Sequence, residues 1–356
     1  MAFKYGHQQK HHLGAGDPGS HRCLHLKYSA QTHGTRLDKT IFPMHDKIML
    51  KFDQVHLMFD KDLPPVARIR SGDTITLQTE RADCMMLGKG KPVFKDRDEV
   101  VETSPNPVTG PIFIDGAEPG DFVRIFIKRL VPCPDGSLGY VTYVPGPSAL
   151  VPPFSLLNDF EPETIWVKME GDHMTLPFKA KPRTIEIQPM IGTIGTAPKR
   201  ERVQTYWSGR SYGGNMDCPL VCEGNEVVLP VNVPGALVSL GDVHARQGDG
   251  EVSCCAVECR GEAEVRIEVL KPLEARYFEW PQVNGPEFIG SVGCVQNSME
   301  KTVQAALIDL VKRVELHYGF RMLDAYQLVA QCVELRVCQA IFPHYSCLAK
   351  IEKRYL

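Results

Sequence analysis

Hydrophobic and polar positions alternate over much of this chain. Stretches such as "VARIRSGDTITLQTE", "GPIFIDGAEPGDFVRIFIKRLV" and "AEVRIEVLK" set Ile, Val, Thr and Phe at every second position and are broken by Gly-Asp or Pro-Gly-Asp turns. That period predicts half-buried strands joined by tight turns. "SGDTITL" and "PGDFVRI" share one order, turn then Gly-Asp then strand, although the likeness is too short to establish a repeat. "TIEIQPMIGTIGTAP" returns to strand and then to a Gly-punctuated loop.

The period changes late in the chain. In "SMEKTVQAALIDLVKRVELHYGF", Ser298 is placed to cap a helix and Glu300 lies in its first turn. Val303, Ala306, Leu307, Leu310, Val311 and Val314 then recur at helical spacing up to Gly319. "MLDAYQLVAQCVELRVCQAI" reads as a second helix and "IFPHYSC" as a β-like ending. The pattern therefore predicts an α+β chain, mainly β, with a β-rich body over 49–290 and an αα-hairpin over about 297–340. Two segments stand apart. Residues 1–48 carry His7, His11, His12, His21, His25, His33 and His45 among Gly, Gln and Lys without helical or strand spacing, and read as a flexible arm. Residues 131–180 are rich in Pro and Gly and read as a long irregular surface excursion.

With 356 residues, 43% hydrophobic and 23% charged, the chain can bury a sizeable core. A net charge of -3 argues against nucleic acid or an anionic membrane as partner, since both call for a basic face. No apolar run is long enough to span a bilayer and no secretory leader is legible, so a cytoplasmic location is expected, with the twelve cysteines mostly reduced. CxxC is absent, which excludes a zinc ribbon.

The chemistry concentrates in two places. In "GALVSLGDVHARQGDGEV", residues 235–252, an apolar run opens into Asp242, His244, Gln247, Asp249 and Glu251, with glycines between them that permit sharp backbone bends. If the chain is extended there, Asp242 and His244 share a face. Imidazole nitrogen and carboxylate oxygen are metal ligands, and a nearby carboxylate serves as a general base. In "YWSGRSYGGNMDC", Gly213 and Gly214 bend the chain before Asn215, an amide or oxyanion partner, and Asp217, a metal ligand. His56, in "DQVHLMFDKDLPP", is a lone histidine, and "PNPVTGPIFIDGAEPGD" has no legible chemistry of its own.

Taken in order, "VHLMFDKDLPPVARIRSGDTITLQT", "NPVTGPIFIDGAEPGD", "IQPMIGTIGTAP", "YGGNMD", "LPVNVPGALVSLGDVHARQGDGEV" and "DAYQLVAQCVELRVCQAI" resemble the acetamidase/formamidase family, from about residue 50 to 345. The resemblance implies a β-sandwich or barrel body and a bound divalent metal, zinc first and calcium as the alternative. It also implies hydrolysis of a small linear amide, such as formamide or acetamide, to an acid and ammonia, and a homodimer or larger assembly. Carried over by motif, Asp217 and His244 would hold the metal, and His56 joins them because many relatives have a histidine there. Glu251 would act as general base and acid, Asn215 or Gln247 would hold the amide or its oxyanion, and Asp249 would complete the catalytic group. Asp242, Gly213 and Gly214 would support them. Some relatives have His-Pro where this chain has Asn106-Pro107, which leaves the role of Asn106 open. Two alternatives remain: a cysteine amidase using Cys218 or Cys254 with His244 as base, and a metal-binding or small-ligand-binding β protein without turnover.

Overall fold

A computed structural model describes residues 48–82, 106–143, 160–161, 163–272 and 279–356. The expected arm over 1–48 lies almost wholly outside the described residues, as does the Pro-rich core of the expected excursion, 144–159. Two large sheets dominate. The first has nine strands, in the order Ile48–Leu50, Thr74–Thr79, Gly261–Leu270, Phe122–Pro132, Glu226–Pro230, Gln282–Asn284, Phe288–Cys294, His344–Glu352 and Glu334–Ile341. The second has ten and carries Val108–Asp115, Met190–Gly195, Gly213–Asn215, Val238–His244 and Gly139–Tyr143.

The alternation explains how the sheets meet. Ile75 and Leu77, Val123, Ile125 and Ile127, and Val265 and Ile267 point from the first sheet into one core, where Ile112, Ile114, Ile191, Ile194, Leu240 and Val243 arrive from the second. Period-two strands bury one face each, so two such faces stack as a sandwich. The "SGDTITL" and "PGDFVRI" strands flank Gly261–Leu270 on either side. Each follows a glycine in the left-handed region, Gly72 (φ 93°) and Gly120 (φ 100°), which accounts for the likeness of the two phrases.

The helices differ in part from expectation. Helix α1, Met299–Tyr318, begins at Ser298, whose side chain accepts from the Lys301 amide, and ends at Gly319 (φ 76°). Helix α2 spans only Met322–Cys332. The expected helical residues beyond it form the strand Glu334–Ile341, paired antiparallel with His344–Glu352. "ELRVCQAI" is short and places Leu, Val and Ile where a sheet neighbour can pair with them, and tertiary pairing overrides the helical prior of the preceding turns. The excursion over 131–180 is likewise corrected: Gly139–Tyr143, Glu163–Val167, Met169–Glu170 and His173–Leu176 are strands. Their β-branched and aromatic runs ("GYVTY", "ETIWV") are brief enough to be masked by the surrounding turn residues. No helix among the described residues is long and apolar enough to cross a membrane.

Helix α1 packs on Phe288–Cys294 so closely that a Cβ on Gly293 would come within 2.1 Å of the Thr302 carbonyl oxygen. Polar groups fix its register there. Buried Asp309 accepts from the amides of Glu279 and Trp280, each at 3.1 Å, and from Ser291 Oγ at 2.5 Å. One turn on, buried Arg313 donates to the Gly290 carbonyl at 2.5 Å and to Asn284 Oδ1 at 2.7 Å. Asp309→Ala would leave the Arg313 charge buried and is expected to lower the unfolding free energy by about 3–5 kcal/mol in urea titrations. Ser298→Ala, which removes one exposed cap bond, is expected to cost about 1 kcal/mol.

Candidate active site

Three neighbouring strands of the second sheet bring the polar residues together. Met190–Gly195 lies between Gly213–Asn215 and Val238–His244, so that Thr193 stands opposite Asn215 and Met190 opposite His244. His244 also pairs with Glu258 on the far side. Along Val238–His244 the core-facing positions are Val238 and Leu240, then Val243 and Ala245. The phase slips at Asp242, which sits at φ 58°, and this lets Asp242 and His244 both leave the core.

Asn106 (φ 27°), Asp217 (φ 45°) and Glu251 (φ 45°) share that left-handed backbone. Each such residue costs on the order of 1–3 kcal/mol and persists only where its surroundings over-determine it. Those surroundings are visible. The amides of Met216 and Asp217 both donate to the Gly192 carbonyl at 3.1 Å, and the turn before Glu251 is tied to the last hairpin by Gly250 N to Val337 O and Ala340 N to Gly250 O, each 2.8 Å. Gly213 and Gly214 are needed for the approach of neighbouring backbone: a Cβ on Gly214 would lie 2.1 Å from the Trp207 carbonyl oxygen.

The result is two overlapping groups of buried acids on one histidine, Asp217 with His244 and Glu251, and Asp242 with His244 and Glu258. Within each, the nearest ligand atoms lie within 4.8 Å of one another. His244 Nε2 is 3.2 Å from Asp242 Oδ1 and 3.3 Å from Glu258 Oε2. Its Nδ1 lies 2.9 Å from Gln247 Oε1. Gln247 Nε2 donates to the carbonyls of Asp217 and Cys338, at 2.7 and 3.0 Å, so Oε1 is the acceptor and Nδ1 carries the proton. The hydrogen-bond network therefore assigns Nε2 to the acids.

Asn106 Nδ2 donates to Thr193 Oγ1 (3.2 Å), Asn215 Oδ1 (3.1 Å) and Asp242 Oδ2 (3.4 Å). Asn215 Nδ2 donates to Asp217 Oδ2 at 2.8 Å, and Gln339 Nε2 donates to the same oxygen and, at 3.2 Å, to Glu251 Oε2. None of these partners of the four carboxylates among the described residues is a lysine or arginine.

The electrostatics follow. Burial, reinforced by Glu251 and Asp242, drives Asp217 well above the usual carboxylate range. Burial likewise raises Glu258, with Asp242 adding to it and His244 opposing it. Glu251 is pushed by burial to about 7, with Glu258 and Asp242 adding and His244 and Gln339 opposing. Asp242 runs the other way, because the His244 charge and its hydrogen bond outweigh burial. Burial pulls His244 down, yet Glu258 and Asp242 together hold it well above the usual imidazole range.

The site thus gathers Asp217, Asp242, His244, Gln247, Asn215 and Glu251 as the sequence predicts, and adds Glu258, Gln339, Thr193 and Asn106, which it did not assign. Glu258, in "CAVEC", carried the one available signal: a charge within an apolar strand must be paired or ligated. Asp249 is not part of the site. Between Gly248 and Gly250 its side chain turns to the surface and pairs with Arg336, leaving it 53% exposed. His56 belongs to neither acid group; its Nε2 is 2.8 Å from Ser239 Oγ, and burial lowers it to about 4, so it is a neutral imidazole. Gln247 uses both hydrogens of Nε2 on protein carbonyls and orients His244, whereas Asn215 accepts at Oδ1 and donates one of its two Nδ2 hydrogens to Asp217 Oδ2.

The donor set fits a divalent cation. Among the described residues, Asp217 Oδ1 and Asn106 Oδ1 are buried acceptors without a hydrogen-bond donor, and Glu258 Oε2 faces His244 Nε2, 3.3 Å away. A Cβ on Gly192 would sit 2.6 Å from both Asp217 Oδ1 and Asp242 Oδ2 and 3.0 Å from His244 Cε1, so only glycine keeps that space open. Imidazole with carboxylates is a set zinc accepts, and an all-oxygen majority also suits calcium.

A sequence model of the Acetamidase/Formamidase family matches residues 44–208 and 203–349. The chain belongs to the acetamidase/formamidase family. It is 26% identical over 280 residues to a formamidase of Methylophilus methylotrophus, covering 63% of this chain and 66% of that one. An acetamidase of Mycolicibacterium smegmatis is 24% identical over 269 residues, covering 61% of this chain and 66% of the relative. The match thus spans just under two thirds of each curated relative. Among solved structures, an acetamidase of Bacillus halodurans superposes with a TM-score of 0.77 at 28% identity, covering 86% of this chain and 98% of that one. A predicted acetamidase/formamidase of Thermoanaerobacter tengcongensis gives 0.77 at 28%, covering 87% and 97%. A gamma lactamase of Delftia acidovorans shares the fold, with a TM-score of 0.56 at 19% identity, covering 85% of this chain and 89% of that one.

Gly192→Ala tests the cradle. The variant is expected to fold, since the strand hydrogen bonds do not involve the α-hydrogen, and to bind Zn2+ about 10–100-fold more weakly in calorimetric titration. Wild-type affinity in Gly192→Ala would show that the space beside Asp217 and Asp242 is not where a cation sits.

Proposed function

We propose that this protein hydrolyses small amides of the formamide and acetamide class to a carboxylic acid and ammonia, with a divalent cation held by Asp217, Asp242, His244 and Glu258. The observation that carries this reading is Glu251: a buried carboxyl raised to about 7, beside four other ionisable groups and not needed to complete the Asp242–His244–Glu258 set. A cation in that set supplies positive charge where negative charge develops on the amide oxygen.

The remaining steps belong to side chains. An amide resists attack because resonance shields its carbonyl, and its nitrogen must be protonated before it can leave. A carboxyl with a pKa near neutral serves both ends, taking the proton of the attacking water and returning it to the departing nitrogen. Gln339 fixes the orientation of Glu251 through its Oε2. Asn215, Thr193 and Asn106 hold Asp217 and Asp242 in place, and Gln247 fixes the His244 tautomer. Burial of the whole group keeps competing water out and strengthens each of these interactions. The family relatives named formamidase and acetamidase support the substrate class.

The thiol alternative has little support. Burial, with Glu251 and Asp217 nearby, raises Cys254 far above the usual thiol range, so it is no thiolate at neutral pH. Cys218 is lowered by its hydrogen bond with Cys338, yet it is fully buried and is engaged with that thiol.

Glu251→Gln is the test. As the base, Glu251 must be ionised in the free enzyme, so kcat/KM for acetamide should rise with pH to a plateau, with the limb below about 7 because a bound cation lowers the carboxyl from its metal-free value. The variant should lose that limb and about 10²–10⁴-fold in kcat, while keeping its bound cation. Loss of the cation together with activity would make Glu251 a ligand, and unchanged kcat would remove it from the mechanism.

A further inference from the structure

Gln339 lies on the hairpin strand that the sequence reads as helix. The register of Glu334–Ile341 against His344–Glu352 shifts between Val337 and Gln339. At this bulge two successive residues serve the site: the Cys338 carbonyl accepts from Gln247, and the Gln339 side chain, 4% exposed, enters among the acids.

Its two ends have different fates. Nε2 is fixed, donating to Asp217 Oδ2 and Glu251 Oε2. With a cation bound and both acids ionised, reversing the amide would turn its carbonyl lone pairs towards two carboxylates, so in that form charge sets the orientation. Oε1 is then left as a buried acceptor with no donor among the described residues. An acceptor in that position calls for a donor from outside the described residues, such as a water or a substrate N–H. The side chain therefore touches the proposed base at one end and offers an unfilled acceptor at the other.

We propose that Gln339 Oε1 accepts an N–H of the substrate amide, which makes Gln339 the residue that separates amides from oxygen esters of the same shape. The inference rests on the amide hydrolysis proposed above. It adds a direction to that reaction: the leaving nitrogen is held against the side chain whose other end holds Glu251, so the proton returned by Glu251 has a short path to it. An ester presents no hydrogen in that position, and a site built to receive one rejects the analogue that lacks it.

Formamide and methyl formate make the comparison. The wild-type protein, loaded with its cation, is expected to show a KM for formamide at least about tenfold below the inhibition constant of methyl formate as competitor. Gln339→Met, matched in length but without the amide, is expected to bring the two constants within about threefold, whatever the common loss in kcat from freeing Glu251. A wild-type ratio near one would overturn the proposal even if the variant does not fold. So would a ratio that survives in a folded Gln339→Met, since Gln339 would then only hold the carboxylates. If the wild type releases no ammonia from formamide or acetamide, it is the amide hydrolysis that fails, and this inference falls with it.

Discussion

Four carboxylates, Asp217, Asp242, Glu251 and Glu258, are buried around a single imidazole, and the structure on both sides of them is organised to make that tolerable. Removing an ion from water costs several kcal/mol even after relaxation, and one imidazolium cannot offset four anions. Either protons or a cation must supply the balance. The raised pKa values of Asp217, Glu251 and Glu258 express the first solution, and the unmatched Asp217 Oδ1, facing the space that Gly192 leaves open, has the form required by the second.

Much of the fold serves this cluster. The central strand Met190–Gly195 supplies Gly192 as open space and Thr193 as a donor, and its neighbours supply Asp217 and His244. Left-handed backbone at Asn106, Asp217, Asp242 and Glu251 aims side chains that a regular strand would send elsewhere. The last hairpin closes the site from the first sheet, giving the Cys338 carbonyl and Gln339, and is itself held by helices α1 and α2 packed against Ile289, Ala349 and Ile351. The Asp309 and Arg313 pins on α1 are thus remote from the chemistry yet support the strand pair that completes it.

Strand alternation, the cap at Ser298 and the stop at Gly319 were legible because local sequence decides them. So was most of the site, since His244, Asp217 and Glu251 sit in glycine-rich strings where polar residues have no packing reason to be. What was not legible depended on distant pairing. Gln339 was hidden within a segment whose preceding turns favour helix, and only His344–Glu352 turns it into a strand. Asp249 looked equivalent to Glu251 two residues on, but the positive φ at Gly250 and Glu251 breaks the alternation and leaves Asp249 to Arg336. His56 likewise is placed by strand pairing: it meets Ser239 and belongs to neither acid group, while its Nδ1 has no hydrogen-bond partner among the described residues.

The most direct measurement is the proton count of metal binding. Chelator-stripped protein is titrated with Zn2+ at pH 7 by calorimetry in buffers of different ionisation enthalpy. If protons neutralise the empty cluster and a cation replaces them, binding should release about one or more protons per ion, shared among His244, Glu251 and Asp217. Tight binding with no proton release would contradict that exchange, and with it the claim that the buried acids exist to hold a cation.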